Sequence, residues 1–390
     1  MFTKIVFILT KKLHILFLCG WYPSKILPTN GDFIERHANA VSLLHKVTVI
    51  HIITDENSTK KIEISSKKLN GIDTHIAYLK KVKNPFYKAY LFLKAYKLLL
   101  AKVNYFDLIH LNEVFPFGLF CLYSKFLKKK KYIISEHSTG YHSPQSKNIS
   151  FFRILASRII TKNARFICPV TNNLQDSMQL LGLKSNYKRV PNVVDTNLFY
   201  PKENTNSVFK IIHISNMNNE HKNIEGILRV VSQIEKEIDN FQFKIIGENS
   251  DKYLSYAKKI NINLEKTLFI NQISHKEVAK NLQESDLFLL FSNYENLPCV
   301  ILESFSCGVP VITTNVGGIS EFFPEDFGFL INIKDENAML ENVLKVYKNF
   351  KIDKNKMHAY VKREFSENSI AQQFTKLYTS TLNTNSTEIN

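Results

Sequence analysis

The chain is predicted to be α/β, with parallel sheets divided between two domains, and three observations predict it. At 390 residues and 44% hydrophobic, it is longer than one core usually supports. Short, wholly apolar runs of the kind needed by strands covered on both faces recur along it, as at residues 287–291 and 309–313. A helical segment separates that pair: Pro298 suits a first turn, and Gly308 with Pro310 behind it is a stop signal. The unit from Ser285 to Gly318 therefore reads strand, loop, helix, strand, loop. Glu295 falls on the loop leaving a strand's carboxyl end, and Glu303 falls inside the helix, about a turn and a half past its start. That edge is where open α/β sheets bind ligands.

In chain order, residues 1–21 hold two apolar runs split by Lys11 and Lys12, each too short to span a bilayer and without a small-residue cleavage site. Neither a signal peptide nor a membrane helix is expected there. Residues 12–20 read as the first buried strand. The loop from Trp21 feeds a helix with Gly31 near its start, where a glycine lets backbone approach a phosphate closely. Residues 46–53 are the next strand and 60–68 a polar loop. Over residues 86–103, Ala89, Phe92, Leu93, Tyr96, Leu99, Leu100 and Val103 share one helical arc of about 120°, with Lys88, Lys94, Lys97 and Lys102 on the opposite half. That is a core-facing helix with lysines in water; Tyr90, Leu91 and Leu98 share the lysine half, as in interfacial helices.

Residues 107–112 are a strand, the helix after it ends in the lysines at 128–131, and 132–135 are the next strand. At its carboxyl end stands Glu136-His-Ser-Thr-Gly-Tyr-His142, which puts His137 on the functional edge. Residues 167–170 are a further strand. A polar stretch at 204–206 precedes a new αβ series, with strands at 210–215, 242–247 and 267–273. Residues 366–382 read as a helix and 383–390 as a polar, disordered tail.

Composition narrows the class. Five cysteines (Cys19, Cys121, Cys168, Cys299 and Cys307) are odd in number and form no C-x-x-C, which points to a reducing compartment rather than a disulfide framework or metal site. Residues 1–200 hold 30 of the 51 Lys and Arg but 11 of the 35 Asp and Glu, a net of +19, while the rest of the chain nets −3. A basic half faces nucleic acid, an anionic membrane or a phosphorylated acceptor, and no nucleic-acid module signature appears. D-x-D, H-E-x-x-H, G-x-G-x-x-G and P-loop patterns are absent as well.

Two carboxylates beside a helix N-terminus, a pole that already attracts anions, must bind more than phosphate. A nucleotide sugar fits: diphosphate on the N–H groups, one carboxylate on a ribose diol, the other on sugar hydroxyls. Glu295 and Glu303, with seven residues between them and Ser-Phe-Ser-Cys-Gly-Val-Pro-Val-Ile and Gly317-Gly318 behind, resemble the donor-site motif of the retaining glycosyltransferases of family 4. The loop with Gly31, the Glu-His-x-x-Gly loop at His137 and the linker at 189–199 resemble the same family, and the likeness spans residues 12–380.

The resemblance implies a GT-B architecture, two Rossmann-like domains with parallel sheets facing across a cleft. Residues 1–200 form the acceptor side, 201–365 the nucleotide-sugar side, and the helix at 366–382 crosses back to the first domain. It implies Glu295, His137 and Lys222 at the reaction, with His137 touching the transferred sugar through side chain or backbone. Glu303, Glu295, Lys222, Asn216, Asn296, Leu297 and Gly31 hold the donor, and Gln272 and Ile273 flank the base. The family's phosphate loop carries an arginine and then a lysine. Lys222 matches the lysine, but Asn218 or Asn219 stands at the arginine position, so either donor affinity is weaker or a residue such as Arg36 or Lys188 substitutes.

The implied activity is transfer, with retained configuration and without metal or cofactor, from a UDP- or GDP-linked sugar to a glycan or lipid-linked acceptor in polysaccharide or lipopolysaccharide biosynthesis. Glu295 and Glu303 bind and orient rather than act as nucleophile and acid. The enzyme is expected in the cytoplasm, peripheral on the anionic inner face of the cytoplasmic membrane. A sugar-nucleotide epimerase, a transferase with a small soluble acceptor, and a non-catalytic GT-B subunit are the alternatives.

Overall fold

The computed structural model describes residues 11–203 and 207–383. The whole of the first apolar run, the polar stretch at 204–206 and the tail from 384 lie outside the described residues. The first sheet holds β1 (His14–Cys19), β2 (Lys46–Asp55), β3 (Ile62–Leu69), β4 (Ile72–Lys80), β5 (Leu108–Asn112), β6 (Tyr132–Glu136) and β7 (Ile167–Pro169), in the order β3-β4-β2-β1-β5-β6-β7. All neighbours are parallel except β3 and β4. The period of two explains the apolar runs. From β1, Ile15, Phe17 and Cys19 join a core with Ile34, Ala38 and Val41 of the helix Asp32–Ser42. Leu16 and Leu18 join another with Leu91, Tyr96 and Leu99 of the helix Pro85–Leu100.

The second sheet holds β8 (Phe209–Ile214), β9 (Phe241–Ile246), β10 (Thr267–Ile270), β11 (Leu287–Leu290), β12 (Val311–Thr314) and β13 (Gly328–Ile331), ordered β10-β9-β8-β11-β12-β13 and wholly parallel. The order reverses at β8 and β11, so the loops after these two strands border the crevice in which such sheets bind ligands.

Two expectations are corrected. The polar loop at 60–68 is instead the strand β3, which pairs antiparallel with β4 through a turn at Asn70 and Gly71, both left-handed (φ 48° and 80°). It reads as loop because it is an edge strand whose outer half is exposed, and lysines such as Lys67 and Lys68 guard such edges. The apolar arc of the helix over 86–103 is also rotated. Leu91, assigned to the lysine half, is buried, whereas Ala89 and Leu93, assigned to the core, are exposed. The helix begins at Pro85, with Asn84 Oδ1 accepting from the N–H of Phe86 and Tyr87, so its first turn stands clear of the sheet.

The last helix, Glu367–Asn383, packs on the first domain. Ile370, Phe374 and Tyr378 are buried in the core with Ile15 and Phe17, Thr375 Oγ1 lies 2.8 Å from His45 Nε2, and Tyr378 OH lies 2.7 Å from His110 Nδ1.

Candidate active site

The two sheets bring their carboxyl edges together around one cavity of about 440 Å³, whose walls include Asp32, Arg36 and His137 from the first domain and Asn216, Lys222, His275, Glu295, Asn296, Leu297 and Glu303 from the second. Glu295 lies past β11 on a loop fixed at both ends. Ser292 Oγ donates to its carboxylate at 2.7 Å, and Thr314 Oγ1, at the end of β12, donates to the Ser292 carbonyl. Gly317, left-handed at φ 59°, lets the next loop pass over it: a Cβ there would come within 2.0 Å of the Glu295 carbonyl oxygen. Lys222 Nζ donates to the Glu295 carboxylate, and both side chains are largely buried.

Glu303 lies in the helix Cys299–Ser306, with Pro298 as its N-cap. In the first turn the Ile301 N–H donates to the Pro298 carbonyl at 3.2 Å, and the N–H groups of Cys299 and Val300 have no partner within the helix. The Glu303 side chain is 4% exposed and accepts from Arg36 Nη1, across the domain boundary, at 2.6 Å. Arg36 Nη2 also donates to Asp32 at 3.0 Å and to His275 Nε2 at 2.5 Å. Burial and the adjacent Arg36 lower the pKa of His275, keeping the ring neutral and its Nε2 an acceptor. The Nε of Arg36 has no partner among the described residues.

Further contacts close the cleft. Asn296 accepts from Thr171 Oγ1 at 2.9 Å and donates to the His137 carbonyl at 3.0 Å, and Asn192 Nδ2 donates to the Leu297 carbonyl at 2.8 Å. Glu321, from the second domain, accepts from the N–H of Asn172 and Asn173 at 2.7 Å each, at the positive end of the helix Asn172–Leu180. His137 is half-buried, its ring against Phe33 and His37 with centroids 4.7 and 5.3 Å away, and desolvation of the ring holds its pKa well below the ordinary value.

The remaining expected residues divide between the cleft and its supports. Gln272 and Ile273 line a second cavity of about 470 Å³ with Gly247, joined to the first through Asp32, Asn216 and His275. Gly31 is left-handed (φ 76°) because its Cα packs on the Trp21–Tyr22 backbone, and it lines neither cavity; Thr29 and Asp32 do. Asn218 and Asn219 act as caps, accepting from the N–H of His221 and Glu225. Of the two proposed substitutes for the missing arginine, Arg36 lines the cavity; Lys188 is exposed and does not. Asp32 and His275 went unforeseen, since their places depend on contacts across the cleft. A larger cavity, about 840 Å³, lies at the amino ends of β1, β2 and β4, on the opposite edge of the first sheet.

Residues 34–198 match the family model Glycosyltransferase Family 4, and residues 197–364 match Glycosyl transferases group 1, so the two abut at the domain boundary. An N-acetyl-alpha-D-glucosaminyl L-malate synthase of Bacillus anthracis is 24% identical over 293 residues, 70% of this chain and 74% of that protein. A putative teichuronic acid biosynthesis glycosyltransferase of Bacillus subtilis is 22% identical over 359 residues, 85% of this chain and 88% of its own. Among solved structures, Anabaena HepE in complex with UDP and glucose superposes with a TM-score of 0.71 at 14% identity, over 94% of this chain and 100% of that one. At that identity the likeness concerns the fold, which is GT-B.

Proposed function

The chain is a glycosyltransferase of the family 4 type, and from that premise we propose that it transfers a sugar from a UDP- or GDP-linked donor to a surface-polysaccharide or lipopolysaccharide precursor, retaining configuration and using no metal. The observation that carries the donor assignment is the pairing of each carboxylate with a cation in one cleft, Glu295 with Lys222 and Glu303 with Arg36. Base, ribose, diphosphate and sugar fit in that order along the joined cavities, from Gln272 and Ile273 past Glu303 to Lys222 and Glu295. Lys222 and the N-terminus of the helix Cys299–Ser306 meet the leaving diphosphate's charge, the work a metal does elsewhere. The polysaccharide role is supported by the relative named for teichuronic acid synthesis.

The test is thermal stabilisation by a panel of UDP- and GDP-sugars, where a donor at 100 times its Kd adds about 2.7 kcal/mol. Transfer from the stabilising donor proceeds equally with EDTA. Strict dependence on Mg²⁺ or Mn²⁺ would contradict the metal-free reading, and donor turnover to an unsaturated sugar without any acceptor would favour an epimerase.

The same proposal places the enzyme peripherally on an anionic membrane. Among the described residues no helix is long and apolar enough to cross a membrane. The first domain instead exposes Phe86, Phe126, Leu127, Phe151 and Phe152 on the outer helices, among lysines such as Lys88, Lys94 and Lys97. Each basic residue near an anionic surface contributes about 1 kcal/mol. Sedimentation with anionic vesicles is expected, fading as salt rises and weakened when Lys88, Lys94, Lys97 and Lys102 become Gln. Equal recovery in the supernatant with anionic and neutral vesicles would favour a small soluble acceptor.

A further inference from the structure

A third cavity, of about 360 Å³, continues the cleft beyond Glu295. It shares Thr139 and Glu295 with the cavity that holds Lys222 and Glu303, and its other walls include His142, Gln145, Asn173 and Ser177 of the first domain and Asn293 and Tyr294 of the second. Among the described residues, Glu295 is the only carboxylate on its walls, and no lysine or arginine lines it. We propose that this cavity is the acceptor subsite and that it takes a neutral, hydroxyl-rich glycosyl unit. The assignment rests on the donor reading above: with the donor's sugar ending at Glu295, the space beyond Glu295 is open to the second reactant.

The hydrogen-bonding capacity of the wall selects the ligand class. Gln145 Oε1 and Asn293 Oδ1 are buried and have no partner among the described residues. Ser177 Oγ donates to the Asn173 carbonyl at 3.0 Å, so at its 2.8 Å contact with His142 Nδ1 it accepts; that imidazole N–H is used, and Nε2 is left with its lone pair. These three acceptors beside a carboxylate call for donors, while the amide of Gln145 and the hydroxyls of Thr139 and Tyr294 on the same wall can donate in turn, so the wall suits a ligand that both gives and takes hydrogen bonds. Sugar hydroxyls supply them, whereas a phosphate or uronate would bring more acceptors and a like charge. The lysines that make the first domain basic do not line this cavity.

The test loads the enzyme with the nucleoside diphosphate that stabilises it, then follows binding of methyl glycosides of glucose, galactose and N-acetylglucosamine, beside glucose 6-phosphate and glucuronic acid, by saturation-transfer NMR. A neutral glycoside is expected to bind best. Gln145→Ala and Asn293→Ala each weaken it about tenfold, and Ser177→Phe, which fills the cavity, abolishes it, all with unchanged nucleotide affinity. Tighter binding of the charged sugars, no binding by any neutral glycoside, or loss of nucleotide affinity in the variants would overturn the assignment. So would a glycoside that is displaced by the nucleotide sugar but not by the nucleoside diphosphate, because the cavity would then belong to the donor's own sugar. If the parent protein binds no nucleoside diphosphate at all, it is the donor reading that fails.

Discussion

Lys222→Ala turns over at least about a hundredfold more slowly than the parent enzyme. Among the described residues lining the central cavity, Lys and Arg are represented by Lys222 and Arg36 alone, and Arg36 is engaged by Glu303, Asp32 and His275. Negative charge builds on the diphosphate as the bond to the sugar breaks, so a cation placed there acts more strongly on the transition state than on the bound donor. The variant's kcat should therefore fall further than its donor affinity. Removing Lys222 also strips Glu295 of its counter-charge in a buried place, leaving it the Ser292 hydroxyl, so the urea midpoint is measured alongside, and Lys222→Arg, which keeps the charge, recovers part of the rate. A kcat within a few fold of the parent, in a variant of unchanged midpoint, would remove Lys222 from the mechanism.

If Glu303 accepts from the donor's ribose, as proposed above, Glu303→Ala weakens donor binding by on the order of 1.5–3 kcal/mol, roughly 10- to 140-fold in Kd. The fold survives the change: Arg36 keeps Asp32 at 3.0 Å, so its guanidinium is not left without a counter-charge. Calorimetry with the nucleoside diphosphate reads the effect directly, and an unchanged Kd would sink the ribose assignment. Glu295→Ala is expected to lower turnover more than nucleotide affinity, since the proposed donor pose sets Glu295 at the sugar rather than the ribose.

The sequence carried the strands that are buried on both faces, since an unbroken apolar run such as Leu287–Leu290 has few other uses, and it carried the loops at their carboxyl ends, which hold Glu295 and His137. It concealed β3, where edge exposure makes a strand look like a loop, together with its partner β4, whose apolar residues alternate with Asp73, Thr74 and His75 at its start, and it concealed β13. The rotation of the helix Pro85–Leu100 was hidden because periodicity gives the width of an apolar face, whereas the direction that face points is set by the sheet beneath it. The pairing of Arg36 with Glu303 joins residues 267 positions apart, and no local pattern announces it. The capping by Asn218 and Asn219 was equally silent, because the same asparagines would read alike whether they faced a ligand or a helix end.

The return of the helix Glu367–Asn383 to the first domain governs the order in which this chain can be completed. A ribosome finishes β7 about two hundred residues before it makes Ile370, Phe374 and Tyr378, and until then the face of the first sheet around Ile15 and Phe17 lacks part of its cover. The earlier half must wait, with an apolar surface open to solvent or chaperone, while the later half is synthesised and folds beside it. The first domain is thus begun first and finished last, and a prematurely ended chain leaves it unsealed even where every residue of its own sheet is present.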